Sequence, residues 1–414
     1  MNWPNPDKVF RDEFHRIQRL PPYVFAEVNK LKAELRAAGQ DIIDFGFGNP
    51  DLPTPGHVID KLVETVRKPK VTGYSASRGI KGLRQACGRY YERRFGVSFD
   101  PETQIIATMG SKEGFANLAQ AITAPGDIIY APDPSYPLHA YGFIIAGAEI
   151  KAIPAITAED YLAGVKAALA EADTPPLAIV VCFPSNPTGM TCDLSFYEEI
   201  VAIAKANDII VLSDLAYSEI YFADPPRSVF EVPGAHDILA VETISLSKTY
   251  SMAGWRMGFA VGSERLIAAL TRVKSYLDYG SFTPIQVAAC AALDGPEDPV
   301  EQARATYKAR RDVLVESFGR SGWTIPAPDA SMFAWAPLPP AYRSMGSLAF
   351  SKLLMQDASV AVSPGVGFGE NGEGYVRIAL VENEQRIRQA ARNIRHMLQG
   401  DAGALRTMDN MPAS

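Results

Sequence analysis

Residues 243–261, TISLSKTYSMAGWRMGFAV, read as two short apolar runs, 243–246 and 258–261, around a polar segment that carries Ser247, Lys248 and Arg256. Runs of this length bounded by Ser and Gly predict buried strands. Outward from this stretch, residues 104–108 (QIIAT), 127–131 (DIIYA), 179–183 (IVVCF) and 209–213 (IIVLS) have the same character. Helical periods lie between them: Val58, Ile59, Leu62, Val63 and Val66 share one helical face, as do Phe196, Ile200 and Ile203. Strands that alternate with helices predict an α/β fold whose large domain is a mainly parallel sheet with helices on both faces.

The chain has 414 residues, 47% hydrophobic and 21% charged, which suits a soluble enzyme and excludes disordered, collagenous and coiled-coil proteins. Residues 50–295 are expected to form the large domain. The acidic segment DGPEDP at 294–299 marks an exposed boundary, followed by a long helix over about residues 300–320. A smaller α+β domain is expected at 296–400, with residues 1–49 as an N-terminal arm that packs in part with it. The polar tail 401–414 has no apolar period and is expected to be disordered.

With 47 acidic against 40 basic residues the net charge is -7, so nucleic acid and anionic membranes are not expected partners. No run approaches the roughly 20 apolar residues of a membrane span, and a cytoplasmic location is expected. Cys87, Cys182, Cys192 and Cys290 are far apart without a CxxC or a His cluster, which predicts packing residues and neither zinc nor disulfides. The five histidines show no paired or metal-ligand spacing, and none is assigned to catalysis.

In open α/β sheets ligands bind beyond the carboxyl ends of the strands. Four predicted strands end in polar groups: Gly110, Ser111 and Lys112 after QIIATM, PSNPTG (184–189) after IVVCF, Asp214 after IIVLS, and Ser247 with Lys248 after ISL. Singly, these are ordinary features, a helix cap or a surface lysine. Together they supply what pyridoxal phosphate requires: an amine to form an imine, a carboxylate to keep the pyridine nitrogen protonated, and backbone N–H groups at a helix start to hold a phosphate.

On the motif SLSKTYSMAGWRMG (245–258), preceded in order by NPTG (186–189) and DLAY (214–217), the chain resembles the class I and II aminotransferases of the fold-type I pyridoxal phosphate enzymes. The resemblance covers about residues 15–400. It implies a homodimer with shared active sites, in which Lys248 is the imine lysine and the acid-base group. Asp214 would be the ring-nitrogen partner, and Asn186 and Tyr217 the donors to the ring oxygen. Arg256, Ser245, Ser247 and the Gly110–Ser111–Lys112 turn would surround the phosphate, with Tyr74 reaching it from the neighbouring subunit. Tyr136 would stack on the pyridine. Arg377, in YVRIAL, would clamp the substrate α-carboxylate, a task suited to a planar guanidinium. Phe47, Gly48 and Asn49 would lie beside the substrate.

RLPPYVF (19–25), GYSASRGI (73–80), SPGVGFG (363–369) and YVRIALVEN (375–383) are similar to the branch that exchanges amino groups between glutamate and pyruvate. Related branches use LL-diaminopimelate, aspartate, methionine or aromatic amino acids, and the fold also hosts carbon-sulfur lyases. An enzyme that alternates glutamate with alanine needs a distal cation that can withdraw. Arg19, in the N-terminal arm, is the expected one.

Overall fold

The computed structural model describes residues 14–400; the arm before Phe14 and the expected disordered tail at 401–414 lie outside the described residues. Twelve strands are formed among them: β1 Ile43–Asp44, β2 Ile105–Thr108, β3 Ile128–Asp133, β4 Glu149–Pro154, β5 Ala178–Val181, β6 Ile210–Asp214, β7 Ala240–Ser245, β8 Gly258–Gly262, β9 Phe333–Pro337, β10 Val360–Ala361, β11 Ser363–Pro364 and β12 Tyr375–Ala379. Seven make one sheet in the order β2-β8-β7-β6-β5-β3-β4, parallel except for β8, which is antiparallel to both neighbours. Its strands β5 to β8 and the edge strand β2 are buried throughout, which is why they stand out in the sequence as apolar runs.

One strand of this sheet, β4, has no such run. EIKAIP pairs only with β3 at the sheet edge and keeps several side chains exposed, so neither face demanded a continuous apolar pattern. The helix Gly56–Val66 also differs from its sequence reading. Val58 is buried, but Ile59, Val63 and Val66 remain partly exposed, because the helix packs on Thr283–Leu293 through a narrower stripe than its apolar face offers.

A second group of strands, β11-β12-β9 antiparallel and β1-β10 parallel, stands apart from the large sheet. Its core gathers Phe318, Trp323, Phe350, Ile378 and Ile394 from the helices Asp298–Arg320, Ser347–Ala358 and Glu384–Leu398 and their neighbours. The first of these helices begins inside the acidic DGPEDP segment, with Pro299 in its first turn, where proline's missing N–H costs nothing. Phe45 and Tyr217 belong to this second core too. They bring the ends of β1 and β6 against it, and the cleft lies there.

Candidate active site

Strand direction puts the polar chemistry on one edge. Asp214 ends β6 opposite Thr243 of β7. The reversed β8 starts at Gly258, which pairs with both Ser245 and Thr108, the last residues of β7 and β2. The turn carrying Arg256 therefore meets the turns carrying Lys248 and Gly110. A cavity of about 470 Å³ opens at this edge, with Lys248, Asp214, Asn186 and Tyr217 in its wall.

Two glycines shape the anion end. Gly110 precedes the helix Ser111–Ile122 with φ of 81°, and a Cβ there would sit 2.4 Å from Arg256 Nη2. A Cβ on Gly258 would come within 2.8 Å of the Ser111 nitrogen. Arg256, itself left-handed at φ 54°, is braced by donation from Nη1 to the Ala253 carbonyl at 2.9 Å. The Ser245 hydroxyl accepts from the Ser247 N–H at 3.2 Å and so caps the short helix Leu246–Thr249. A helix start, two serines and a guanidinium thus converge, and among the described residues Asp214 is the one carboxylate that lines the cavity, an arrangement suited to a phosphate at the Arg256 end.

Lys248 faces the cavity and donates from Nζ to the Gly48 carbonyl at 2.7 Å. Burial, aided by the positive charges of Arg377 and Arg256, pulls its ammonium down to about 7. Gly48 must be glycine here, since a Cβ would lie 2.5 Å from the Phe333 ring. Asp214 takes hydrogen bonds at 3.0 Å from His139 Nε2 and at 3.3 Å from the Thr243 hydroxyl. Burial pushes the Tyr217 phenol up, with Arg377 acting in the opposite sense, and its ring meets Phe333 edge-on at 5.6 Å.

Arg377, on β12, donates to Asn186 Oδ1 at 2.8 Å and makes longer contacts, 3.4 Å each, to the Gly46 carbonyl and the Ser363 hydroxyl. Its guanidinium lies 4.0 Å from the Phe333 ring centroid and 4.6 Å from that of Phe368. Among the described residues no carboxylate pairs with it, and burial lowers it to about 10, still charged at neutral pH. Tyr136 lines the same cavity, with the Lys112 ammonium 5.7 Å from its ring centroid.

Two expected site residues lie elsewhere. Tyr74 is 89% exposed and stacks obliquely on Tyr279, 4.7 Å between centroids, outside its own chain's cavity. Arg19, expected as a distal cation that can withdraw, does not line the cavity either. Its guanidinium donates to the Ala148 carbonyl at 2.6 Å and pairs with Glu149 at 2.9 Å, so its donors are spent on docking the arm. Sequence reading also missed His139, Thr243, Phe333 and Phe368. The one signal for His139 was its place three residues after Tyr136, beyond a strand end. Cys182 was read as packing alone, but it too lines the cavity, its sulfur within 4.8 Å of ligand atoms of His139 and Asp214.

An α/β fold with an amine, a carboxylate and an anion cradle at one sheet edge defines a class, and the chain belongs to the class I and II aminotransferases, whose family model matches residues 40–394. It is 60% identical over 401 residues to the Rhizobium meliloti protein AatC, covering 97% of this chain and 98% of that one. To the glutamate-pyruvate aminotransferase AlaC of Escherichia coli K12 it is 49% identical, covering 94% of each chain. To the LL-diaminopimelate aminotransferase of Moorella thermoacetica it is 41% identical, covering 93% of this chain and 98% of that one. Substrate-bound BacF of Bacillus subtilis has the same fold, with a TM-score of 0.87 at 34% identity over 94% of this chain and 98% of that one.

Class I and II aminotransferases of this fold use pyridoxal phosphate, and the residues present fit it. The glycine cradle beside Arg256 has room for no side chain, Asp214 is a buried carboxylate that no Lys or Arg among the described residues pairs with, and Lys248 is a buried amine that donates to a carbonyl.

Proposed function

We propose that this aminotransferase exchanges the amino group between L-alanine and 2-oxoglutarate, giving pyruvate and L-glutamate. The observation that carries the reading is Arg377, a buried guanidinium that lacks a carboxylate partner and is wedged between Phe333 and Phe368 beside Lys248. Such a cation is matched by the α-carboxylate common to all four substrates. The aromatic wall of Phe25, Phe333 and Phe368 favours a methyl side chain at no polar cost. The kinship with a glutamate-pyruvate aminotransferase at 49% identity supports the same pair.

In this reading the backbone N–H groups of the Gly110–Ser111–Lys112 helix start, with Ser245, Ser247 and Arg256, would hold the cofactor phosphate, Asp214 the ring nitrogen, Asn186 and Tyr217 the ring oxygen, and Tyr136 a ring face. When bound, pyridoxal phosphate supplies an electron sink for the charge left at the substrate Cα. Lys248 Nζ takes the α-proton, and its lowered proton affinity leaves much of it as free amine near neutral pH. Arg377 holds the carboxylate so that the Cα–H bond faces that amine, and Asn186, already bonded to Arg377, fixes the guanidinium plane.

Glutamate brings a second carboxylate. With Arg19 committed to Glu149, the wall's remaining cations are Lys32 and Lys112. Lys32 is tied to Asp44 at 2.8 Å, which leaves Lys112, exposed beside Tyr136, to meet the distal carboxylate. The exposed Tyr74, Tyr276, Leu277 and Tyr279 form the kind of apolar surface that subunits cover, and they support a homodimer in which Tyr74 reaches the partner's phosphate.

A second reading, with LL-diaminopimelate as donor, is favoured by the 41% identity to an enzyme of that name. A panel of amino donors assayed with pyruvate and with 2-oxoglutarate separates the two. Alanine with 2-oxoglutarate should give the highest kcat/KM, and a dominant rate with LL-diaminopimelate would overturn the alanine assignment.

A further inference from the structure

Lys274 has no solvent exposure, yet it carries a charge between two carboxylates. Its ammonium donates to Glu113 Oε1 at 2.8 Å and to Asp278 Oδ2 at 2.9 Å. A buried ion pair is weak evidence of stability by itself, because desolvation offsets most of the attraction. What the two carboxylates hold is more informative.

Glu113 is two residues into the helix that starts the phosphate cradle. Its other oxygen accepts from the Met109 N–H at 2.8 Å, and Asn117 donates to the oxygen that Lys274 touches. Glu113 therefore pins the Met109–Gly110–Ser111 turn from behind. Asp278 does the same for a different loop: Oδ1 accepts from the Gly280 N–H at 2.6 Å, and its carbonyl accepts from the Ser77 hydroxyl at 2.5 Å. Gly280, at φ 77°, packs so closely on the Ala76 carbonyl that a Cβ would lie 2.4 Å from it. Gln286 completes the clasp by donating to the Ser75 hydroxyl and the Ser281 carbonyl. Segments 74–80 and 278–282 are thus tied together, and between them they display Tyr74 against Tyr279.

We propose that Lys274 is a positioning residue for both halves of the phosphate site: through Glu113 it sets the cradle of its own chain, and through Asp278 it sets the loop that carries Tyr74 to the partner's cradle. The inference rests on the reading of these two places as phosphate contacts. Without the ammonium, Glu113 and Asp278 face each other as two partly buried carboxylates. Their repulsion displaces the turn and the loop together and adds negative potential behind an anion site.

The test uses the full chain stripped of cofactor and titrated with either pyridoxal phosphate or pyridoxal, following the absorbance of the bound form. In Lys274→Met, affinity for pyridoxal phosphate should fall by about tenfold or more, as for a broken buried pair. Affinity for pyridoxal, which lacks the phosphate, should stay within about twofold of wild type, within the range of an ordinary surface substitution. Glu113→Gln, which keeps an acceptor for Met109 while weakening the grip on Lys274, should show the same selectivity with a smaller loss. Combining Lys274→Met with Tyr74→Phe should cost less than the product of the two separate losses, because both act on one contact.

Equal losses for the two ligands, or none for either, in both Lys274→Met and Glu113→Gln would overturn the proposal and reduce Lys274 to a packing residue. A wild-type protein that does not prefer pyridoxal phosphate over pyridoxal would instead overturn the underlying reading of the cradle.

Discussion

His139 Nε2 stands 3.0 Å from the Asp214 carboxylate, and the imidazole is fully buried. Its Nδ1 has no hydrogen-bond partner among the described residues. The ring is packed between Phe115 and Tyr136, so it holds Asp214 at a fixed angle toward the cavity. A histidine unassigned from sequence is thus the orienting partner of the carboxylate that chemistry at this edge requires.

His139→Phe keeps an aromatic ring and removes the donor. Turnover should fall by about ten- to a hundredfold, the order expected for a hydrogen bond to a charged group worth ~1.5–3 kcal/mol. Asp214→Asn should fall further with the fold retained by circular dichroism. Unchanged kcat in His139→Phe would leave the orientation of Asp214 to Thr243 alone.

The lowered proton affinity of Lys248 sets a pH signature. The rate at which cofactor-free protein captures pyridoxal phosphate should climb through pH about 7 and level off well below about 10.4, where a free lysine titrates. Stability carries the same sign. Between those two values the unfolded chain binds more protons at this site than the folded one, so stability of the cofactor-free protein should gain with rising pH there. Lys248→Met should flatten that gain in thermal melts recorded across the window.

Arg19 and Lys112 separate cleanly by substrate. Lys112→Ala should cost glutamate and 2-oxoglutarate about 1.5–3 kcal/mol in kcat/KM, as for a charged hydrogen bond, beyond any cost shared with alanine and pyruvate. Arg19→Ala, which only loosens the docked arm, should lower all four by similar factors. A glutamate-selective loss from Arg19→Ala would return the distal carboxylate to the arm.

Tyr74 can be tested by mixing chains. Lys248→Ala has no amine at its own site, and Tyr74→Ala has no phenol for its partner's. A dimer of one chain of each contains one site with all wild-type groups if Tyr74 crosses the interface, and none if it serves its own chain. Activity above that of either parent after subunit exchange marks the first case; no gain, with hybrid dimers demonstrated by mass, marks the second.

The strands that position the site were legible in the sequence because β5, β6, β7 and β8 are buried on both faces and cannot avoid long apolar runs. So were Lys248, Asp214 and the Gly110 turn, since each follows such a run directly. The edge strand β4 was not, because most of its side chains stay exposed or half-exposed, whereas β2 at the other edge is buried throughout and shows its apolar run. His139, Phe333 and Phe368 were equally silent, because a lone His on an apolar helix, or a Phe in a strand or a short turn, has the signature of any core residue. Only the antiparallel pairing of β9 with β12, and the packing of the turn Gly365–Phe368 on β12, bring Phe333 and Phe368 against Arg377.

The fate of Arg19 follows the same logic. By itself the sequence determined which residue types stand at the strand ends, since local pattern places strands and strand ends collect the chemistry. Which distant charge meets which partner was decided by the tertiary structure alone. Arg19 finds Glu149 across 130 residues, and Lys274 finds Glu113 across 161. No local periodicity records such pairs, because they are contacts between elements and not properties of any one of them.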